Sequence, residues 1–240
     1  MLIQRNGRVL LSSTLIFCLI QFLLSVLIQT TAGVENTVFS FGSVVLCCLF
    51  CALLFTKTKD FAFTQLGLIF TVFADWFLVV MGAEDRLSAM ICFSAVQIFY
   101  CLRLAANHRT RGGLLMHLAV RCTLVLLFIL AAFVVLGNAT DELSIVSVFY
   151  YANLILNVAL AFYQRKKSLL FPIGLLLFIL CDTVIGLNVM AELYIPSFTE
   201  NALYAILNPG FNLAWVFYLP SQVLITLSTV EMYYRKQPKP

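Results

Sequence analysis

Ser168-Leu-Leu-Phe-Pro-Ile-Gly-Leu-Leu-Leu-Phe-Ile-Leu-Cys-Asp182-Thr-Val-Ile-Gly-Leu-Asn188-Val-Met190 contains one charged residue, Asp182, in an otherwise apolar run. A helix of that length reaches across the roughly 30 Å hydrocarbon layer of a bilayer at about 1.5 Å per residue. Seven further runs of the same kind lie at 9–29, 37–55, 64–82, 87–106, 114–136, 143–163 and 211–231. Together with 168–190 they predict an all-α polytopic membrane protein with eight transmembrane helices in one bundle. Its connections are short except for 191–210, so 1–240 reads as a single membrane domain. The whole composition agrees. Of 240 residues, 62% are hydrophobic and 11% charged, with a mean hydropathy of +1.00. Soluble domains carry roughly 25% charged residues. Disordered or nucleic-acid-binding chains need far more polar or basic sequence, and a β-barrel has no apolar runs this long.

Charge orients the spans. Arg5, Arg8, Lys57, Lys59, Arg103, Arg109, Arg111, Arg121, Arg165, Lys166, Lys167, Arg235, Lys236 and Lys239 all fall on one side, and only Arg86 on the other. The opposite loops carry Glu35, Glu84, Asp85, Asp141, Glu142, Glu192 and Glu200. This positive-inside pattern predicts cytoplasmic N- and C-termini and an even span count, and it accounts for the net charge of +4 without a nucleic-acid partner. The N-terminal run is read as a span, because it exceeds the roughly 7–15 apolar residues of a signal peptide. Without a targeting or retention tail, a bacterial plasma (inner) membrane is the expected location. The eight cysteines all lie in spans and are expected to be packing thiols, Cys48-x-x-Cys51 included.

Two acids stand where an ionisable group is costly. Asp75 in span three and Asp182 in span seven lie seven and eight residues before the outer span ends, about 10–12 Å below the boundary. Gly67-Leu-Ile-Phe-Thr-Val-Phe-Ala-Asp75 aligns with Gly174-Leu-Leu-Leu-Phe-Ile-Leu-Cys-Asp182. Spans four and eight return with Gln97 and Gln222 at similar depth, suggesting a parallel 4+4 internal repeat. Helical spacing puts Tyr100 beside Gln97, and Tyr218 and Thr226 beside Gln222. Pro220 is expected to kink span eight. Asn188 lies one to two turns beyond Asp182. Asn153, Asn157 and Thr226 read as hydrogen-bonding glue between helices. Two carboxyls held together out of water do not ionise together, so one can act as general acid and the other as general base. Gln97, Gln222 and Tyr100 could hold the substrate oxygen or the water. A metallohydrolase or a Ser–His pair is disfavoured, because His108 and His117 lie on the cytoplasmic side, and no metal or cofactor is expected.

Residues 64–103 and 170–232 carry Gly67-Leu-Ile-Phe-Thr-Val-Phe-Ala-Asp75-Trp-Phe-Leu, Phe93-Ser-Ala-Val-Gln97-Ile-Phe-Tyr100, Leu177-Phe-Ile-Leu-Cys-Asp182 and Tyr218-Leu-Pro-Ser-Gln222. In order and spacing these resemble the YhhN-like, or lysoplasmalogenase, integral membrane family. The resemblance implies an eight-span bundle that hydrolyses the vinyl-ether bond of lysoplasmalogens to a fatty aldehyde and a glycerophospho-head-group. Carried over by position, it assigns Asp75 and Asp182 to the two acidic positions, and Tyr100 and Gln222 to polar ones. The family's span-four motif often reads His-x-x-Tyr, whereas this chain has Gln97-Ile-Phe-Tyr100, and glutamine does not exchange protons as histidine does.

The expected catalytic pair is therefore Asp75 and Asp182, with Gln97, Tyr100, Tyr218, Gln222 and Asn188 binding substrate. The expected partner is a membrane lipid or lysolipid; the sequence leaves head group and oligomeric state open. Arg86 and the Tyr194–Tyr204 segment at the outer rim, and His117 with Arg121 at the inner one, are candidate head-group contacts or snorkelling anchors. Two other functions fit the same residues: a proton-coupled or lipid-handling carrier with the acids at a repeat interface, and a non-catalytic structural protein.

Overall fold

The computed structural model describes residues 7–54, 58–82, 85–106, 111–193, 196–200 and 202–236. Arg5, Lys57, Glu84, His108, Arg109, Tyr194 and Lys239 lie outside them. The described residues form helices α1 (Gly7–Thr30), α2 (Gly33–Leu53), α3 (Lys59–Asp75), α4 (Arg86–Ala105), α5 (Arg111–Leu136), α6 (Glu142–Tyr163), α7 (Leu170–Leu193), α8 (Ala202–Leu207) and α9 (Leu213–Lys236), with no strand among them. Eight are long and apolar enough to cross a bilayer; α8 is a short helix within the long connection between α7 and α9. This is an all-helical integral membrane protein, and each span falls within a few residues of the run that predicts it.

Local chemistry sets the ends. Thr58 caps α3 by accepting from the Phe61 N–H at 3.3 Å. Asp141 and Ser144 form a reciprocal capping box at α6, with Ser144 N–H donating to Asp141 Oδ1 at 2.8 Å and Asp141 N–H to Ser144 Oγ at 3.0 Å. The start of α7 is capped from another helix: Glu231 on α9 accepts from Leu169 N–H at 3.1 Å, Leu170 N–H at 3.2 Å and Ser168 Oγ at 2.6 Å. Arg235 holds that carboxylate from the next turn at 2.7 Å. At the other end of the bundle, Arg86 bridges to Glu192 at 3.0 Å, tying the start of α4 to the end of α7.

After Asp75 the chain widens into a π-helical turn, Trp76–Met81, which Gly82 ends at a φ of 92°, a conformation that only glycine adopts without strain. Asp75 thus occupies the junction between the regular helix and the widened one.

The most extensive seams are α7 with α9 and α3 with α4, followed by α4 with α6. Glycine makes the first two possible. A methyl group at Gly174 would lie 2.9 Å from Ile225 Cγ1 and 3.0 Å from the Ser221 carbonyl oxygen. One at Gly67 would collide with the Tyr100 ring. Backbone approach of this kind is how helices associate in lipid, where hydrophobicity gives no net attraction between them. The same reason explains α1 and α5, which expose Leu, Ile, Phe and Val along most of their length. The buried core is aromatic and aliphatic, centred on Tyr100, Phe178, Leu68, Leu154, Leu175 and Ile225.

Candidate functional site

Asp75 is 1% exposed, and the Tyr218 hydroxyl donates to its Oδ2 at 2.7 Å. The donor comes from α9 and the acceptor from α3, so the bond exists only in the assembled bundle. Asp182 on α7 is half-buried, and its Oδ2 accepts from the Tyr150 hydroxyl on α6. One acid is therefore sealed and the other partly accessible, and each is held by a tyrosine from a different helix.

An aromatic layer joins the two. Trp215 meets Tyr218 edge-on at 5.1 Å, Tyr218 lies 5.6 Å from Phe178, Phe178 lies 5.8 Å from Phe93, and Phe93 lies 5.6 Å from Tyr150. Phe178 sits one turn before Asp182, so α7 contributes both the central ring and an acid. Beside Asp182, the Tyr151 and Thr183 hydroxyls share a hydrogen bond at 2.7 Å.

The other expected site residues occupy different surroundings. Tyr100 is fully buried, wedged against Gly67 and edge-on to Phe171 at 5.5 Å, with its hydroxyl toward Thr71. Gln97 is fully buried and accepts twice from Asn157 Nδ2, through its backbone oxygen and Oε1, both at 2.9 Å. Gln222 is fully buried one turn beyond Tyr218, its Nε2 donating to Ser221 Oγ at 3.2 Å. Pro220 lies inside α9 between Tyr218 and Gln222. Asn188 is elsewhere: it accepts from Asn208 at 2.9 Å on an exposed rim near α8 and touches neither acid.

Three buried groups were not legible as such. Tyr150 stands in an apolar run, where a tyrosine is indistinguishable by sequence from a packing aromatic. Arg121, read as an inner-rim anchor, is 6% exposed and turned inward, donating to Asn153 Oδ1 and Asn157 Oδ1, each at 2.7 Å. Arg103, counted among the cytoplasmic flanking charges, is 2% exposed. It lies 3.8 Å over the Phe171 ring and donates to Ser228 Oγ at 2.9 Å. The snorkelling expectation for Arg121 fails because asparagine acceptors on α6 meet its guanidinium inside the bundle, and a hydroxyl on α9 does the same for Arg103.

Two carboxyls, each fixed by a phenol in an apolar layer, can give and take protons at a substrate that reaches them. No group of three or more His, Cys, Asp or Glu side chains suited to a metal occurs among the described residues, and the eight cysteines are all free thiols. No curated protein and no solved structure matches the chain. The family model described as YhhN family matches residues 36–229, which runs from the first turn of α2 to two thirds of the way along α9 and includes both acids and both tyrosines that hold them. The chain belongs to the YhhN family.

Proposed function

We propose that the protein is a membrane-embedded hydrolase of a single-chain lipid, cleaving the vinyl-ether bond of a lysoplasmalogen. The observation that carries this reading is the pair of tyrosine-held carboxyls, Asp75 and Asp182, facing one aromatic layer. Helix association by itself needs only amides or hydroxyls, whereas two carboxyls in lipid are costly and suit proton transfer.

In both acids the tyrosine occupies Oδ2, and Oδ1 is assigned to the reacting groups. One acid, protonated, delivers its proton to the β-carbon of the vinyl ether and leaves an oxocarbenium ion. The other, ionised, stabilises that cation and takes a proton from the water that attacks the α-carbon. The hemiacetal collapses to the aldehyde and the free glycerol hydroxyl, and each proton taken from water balances one delivered to substrate. The partly accessible Asp182 is assigned the water and the sealed Asp75 the carbon acid, because a sealed acid does not lose its proton to solvent.

The test is aldehyde release by purified, detergent-solubilised protein given lysoplasmalogen, beside folded Asp75→Asn and Asp182→Asn variants. Turnover by the parent that disappears in both variants supports the assignment. A folded parent that releases no aldehyde from any head-group variant overturns it.

A further inference from the structure

The acid pair leaves the polar cluster around Arg121 unused. Arg121 lies within a membrane span with no carboxylate in salt-bridge range among the described residues; its partners are the neutral Asn153 and Asn157. A buried guanidinium without an anion is costly in any protein and more so in lipid. The donor count is also uneven. Arg121 Nε is buried with no partner, and so is Gln97 Nε2, because Asn157 engages the Oε1 side of that amide. Asn157 links the two residues that carry these unmatched donors, accepting from Arg121 and donating to Gln97. The group that complements them is an anionic acceptor, and a guanidinium edge suits a phosphate oxygen pair.

Depth fits the same ligand. Helices α3, α5 and α7 run in one direction, and Arg121 is ten residues into α5, against sixteen for Asp75 in α3 and twelve for Asp182 in α7. At the helical rise, Arg121 stands about 3–9 Å closer to the start of its own helix than each acid does to the start of its own. In an extended glycerophospholipid the phosphorus and the ether-linked carbon are about 7 Å apart, six bonds at ordinary lengths.

We propose that Arg121 and Gln97 form an anion seat for the phosphate of a single-chain lipid, positioned so that the linkage beside its glycerol reaches Asp75 and Asp182. This rests on the lipid-hydrolase reading, and it makes the phosphate a determinant of substrate choice. Lipid carrying a phosphate head group binds with its chain toward the acids; the same chain without phosphate lacks the anchor.

The test reads binding and does not need turnover. Hexadecyl glyceryl phosphoethanolamine, a saturated ether that cannot be cleaved, is compared with hexadecyl glyceryl ether and with inorganic phosphate, as shifts in unfolding temperature in detergent. The parent and Asp75→Asn are expected to rise by about 5 °C or more with the phospholipid near a hundredfold excess over Kd, and less with the other two probes. Arg121→Gln is expected to lose the phospholipid preference. If that variant does not fold, Asn153→Asp answers instead, because its carboxylate sits on Arg121 Nη1 and cancels the charge while keeping the guanidinium in place. An undiminished phospholipid shift in either folded variant overturns the seat. Equal stabilisation of the parent by the phosphate-free ether overturns it too, and an equal effect of inorganic phosphate overturns the lipid assignment. A phospholipid shift that depends on Arg121, in a protein that releases no aldehyde, sinks the vinyl-ether chemistry and leaves the seat standing.

Discussion

Gly174→Ala is the most direct test of how the two halves of the acid site are held in register. Position 174 lies where α7 crosses α9, and an added methyl would stand 2.9 Å from Ile225 Cγ1, 3.0 Å from the Ser221 oxygen and 3.1 Å from the Ile225 nitrogen. The Ile225 side chain can turn aside; the backbone atoms cannot, so the helices must separate by a few tenths of an ångström. Overpacking of this kind costs about 1–3 kcal/mol. The same helix carries its own control, because a methyl at Gly186 meets nothing within 4 Å. Gly186→Ala should therefore show only the helix-propensity gain of up to about 1 kcal/mol. A chain of this size shifts by about 2–4 °C per kcal/mol. Gly174→Ala is thus expected to unfold roughly 2–12 °C below Gly186→Ala. The assay is thermal unfolding in detergent, followed by the fluorescence of Trp76 and Trp215. Because α7 carries Asp182 and α9 carries Tyr218, aldehyde release by Gly174→Ala should fall as well. If Gly174→Ala unfolds at or above the temperature of Gly186→Ala, the close α7–α9 crossing is wrong, and so is the geometry built on it.

Tyr218→Phe removes the hydroxyl that donates to Asp75 at 2.7 Å and changes little else. A loss of about 1–3 kcal/mol in unfolding free energy is expected from the unpaired acceptor, with reduced aldehyde release; unchanged values in both would detach Tyr218 from the acid. Glu231→Gln withdraws the carboxylate that caps α7 from α9. It should cost about 0.5–2 kcal/mol by thermal unfolding, and an unaltered midpoint would show that the cap contributes nothing. The charge pattern predicts the α6–α7 turn inside and the α5–α6 turn outside. In a cysteine-free background, a membrane-impermeant thiol reagent applied to intact cells should label Asn138→Cys and spare Lys166→Cys, both exposed positions. The reverse labelling would invert the topology.

The family match over 36–229 leaves α1 outside it. That helix exposes most of its large apolar side chains, yet it docks through Gln21, which donates to the Ser43 carbonyl oxygen at 2.9 Å, and through Phe17 stacked on Phe50 at 4.2 Å. The acids and the tyrosines that hold them lie wholly within the matched region. The parallel 4+4 repeat remains a proposal. Gly67 and Gly174 each sit at a close crossing with the following span, but the acids after them take partners differently: Asp75 from α9, in the other half, and Asp182 from the adjacent α6.

The number of spans, their bounds and the positions of Asp75 and Asp182 were legible in the sequence, because a bilayer imposes a length on every crossing helix and makes a short carboxyl well inside a span conspicuous. The lateral arrangement was not. In lipid a helix is apolar on all sides whether it faces a neighbour or the membrane, so hydropathy carries no record of which faces meet. Only the tertiary structure decided that Tyr218 holds Asp75 and Tyr150 holds Asp182, and that Asn188 stands apart at the rim. It likewise decided that Arg103 and Arg121 turn inward. Their long side chains can reach water or a polar partner with equal ease, and the amides and hydroxyls supplied by α6 and α9 settle the choice.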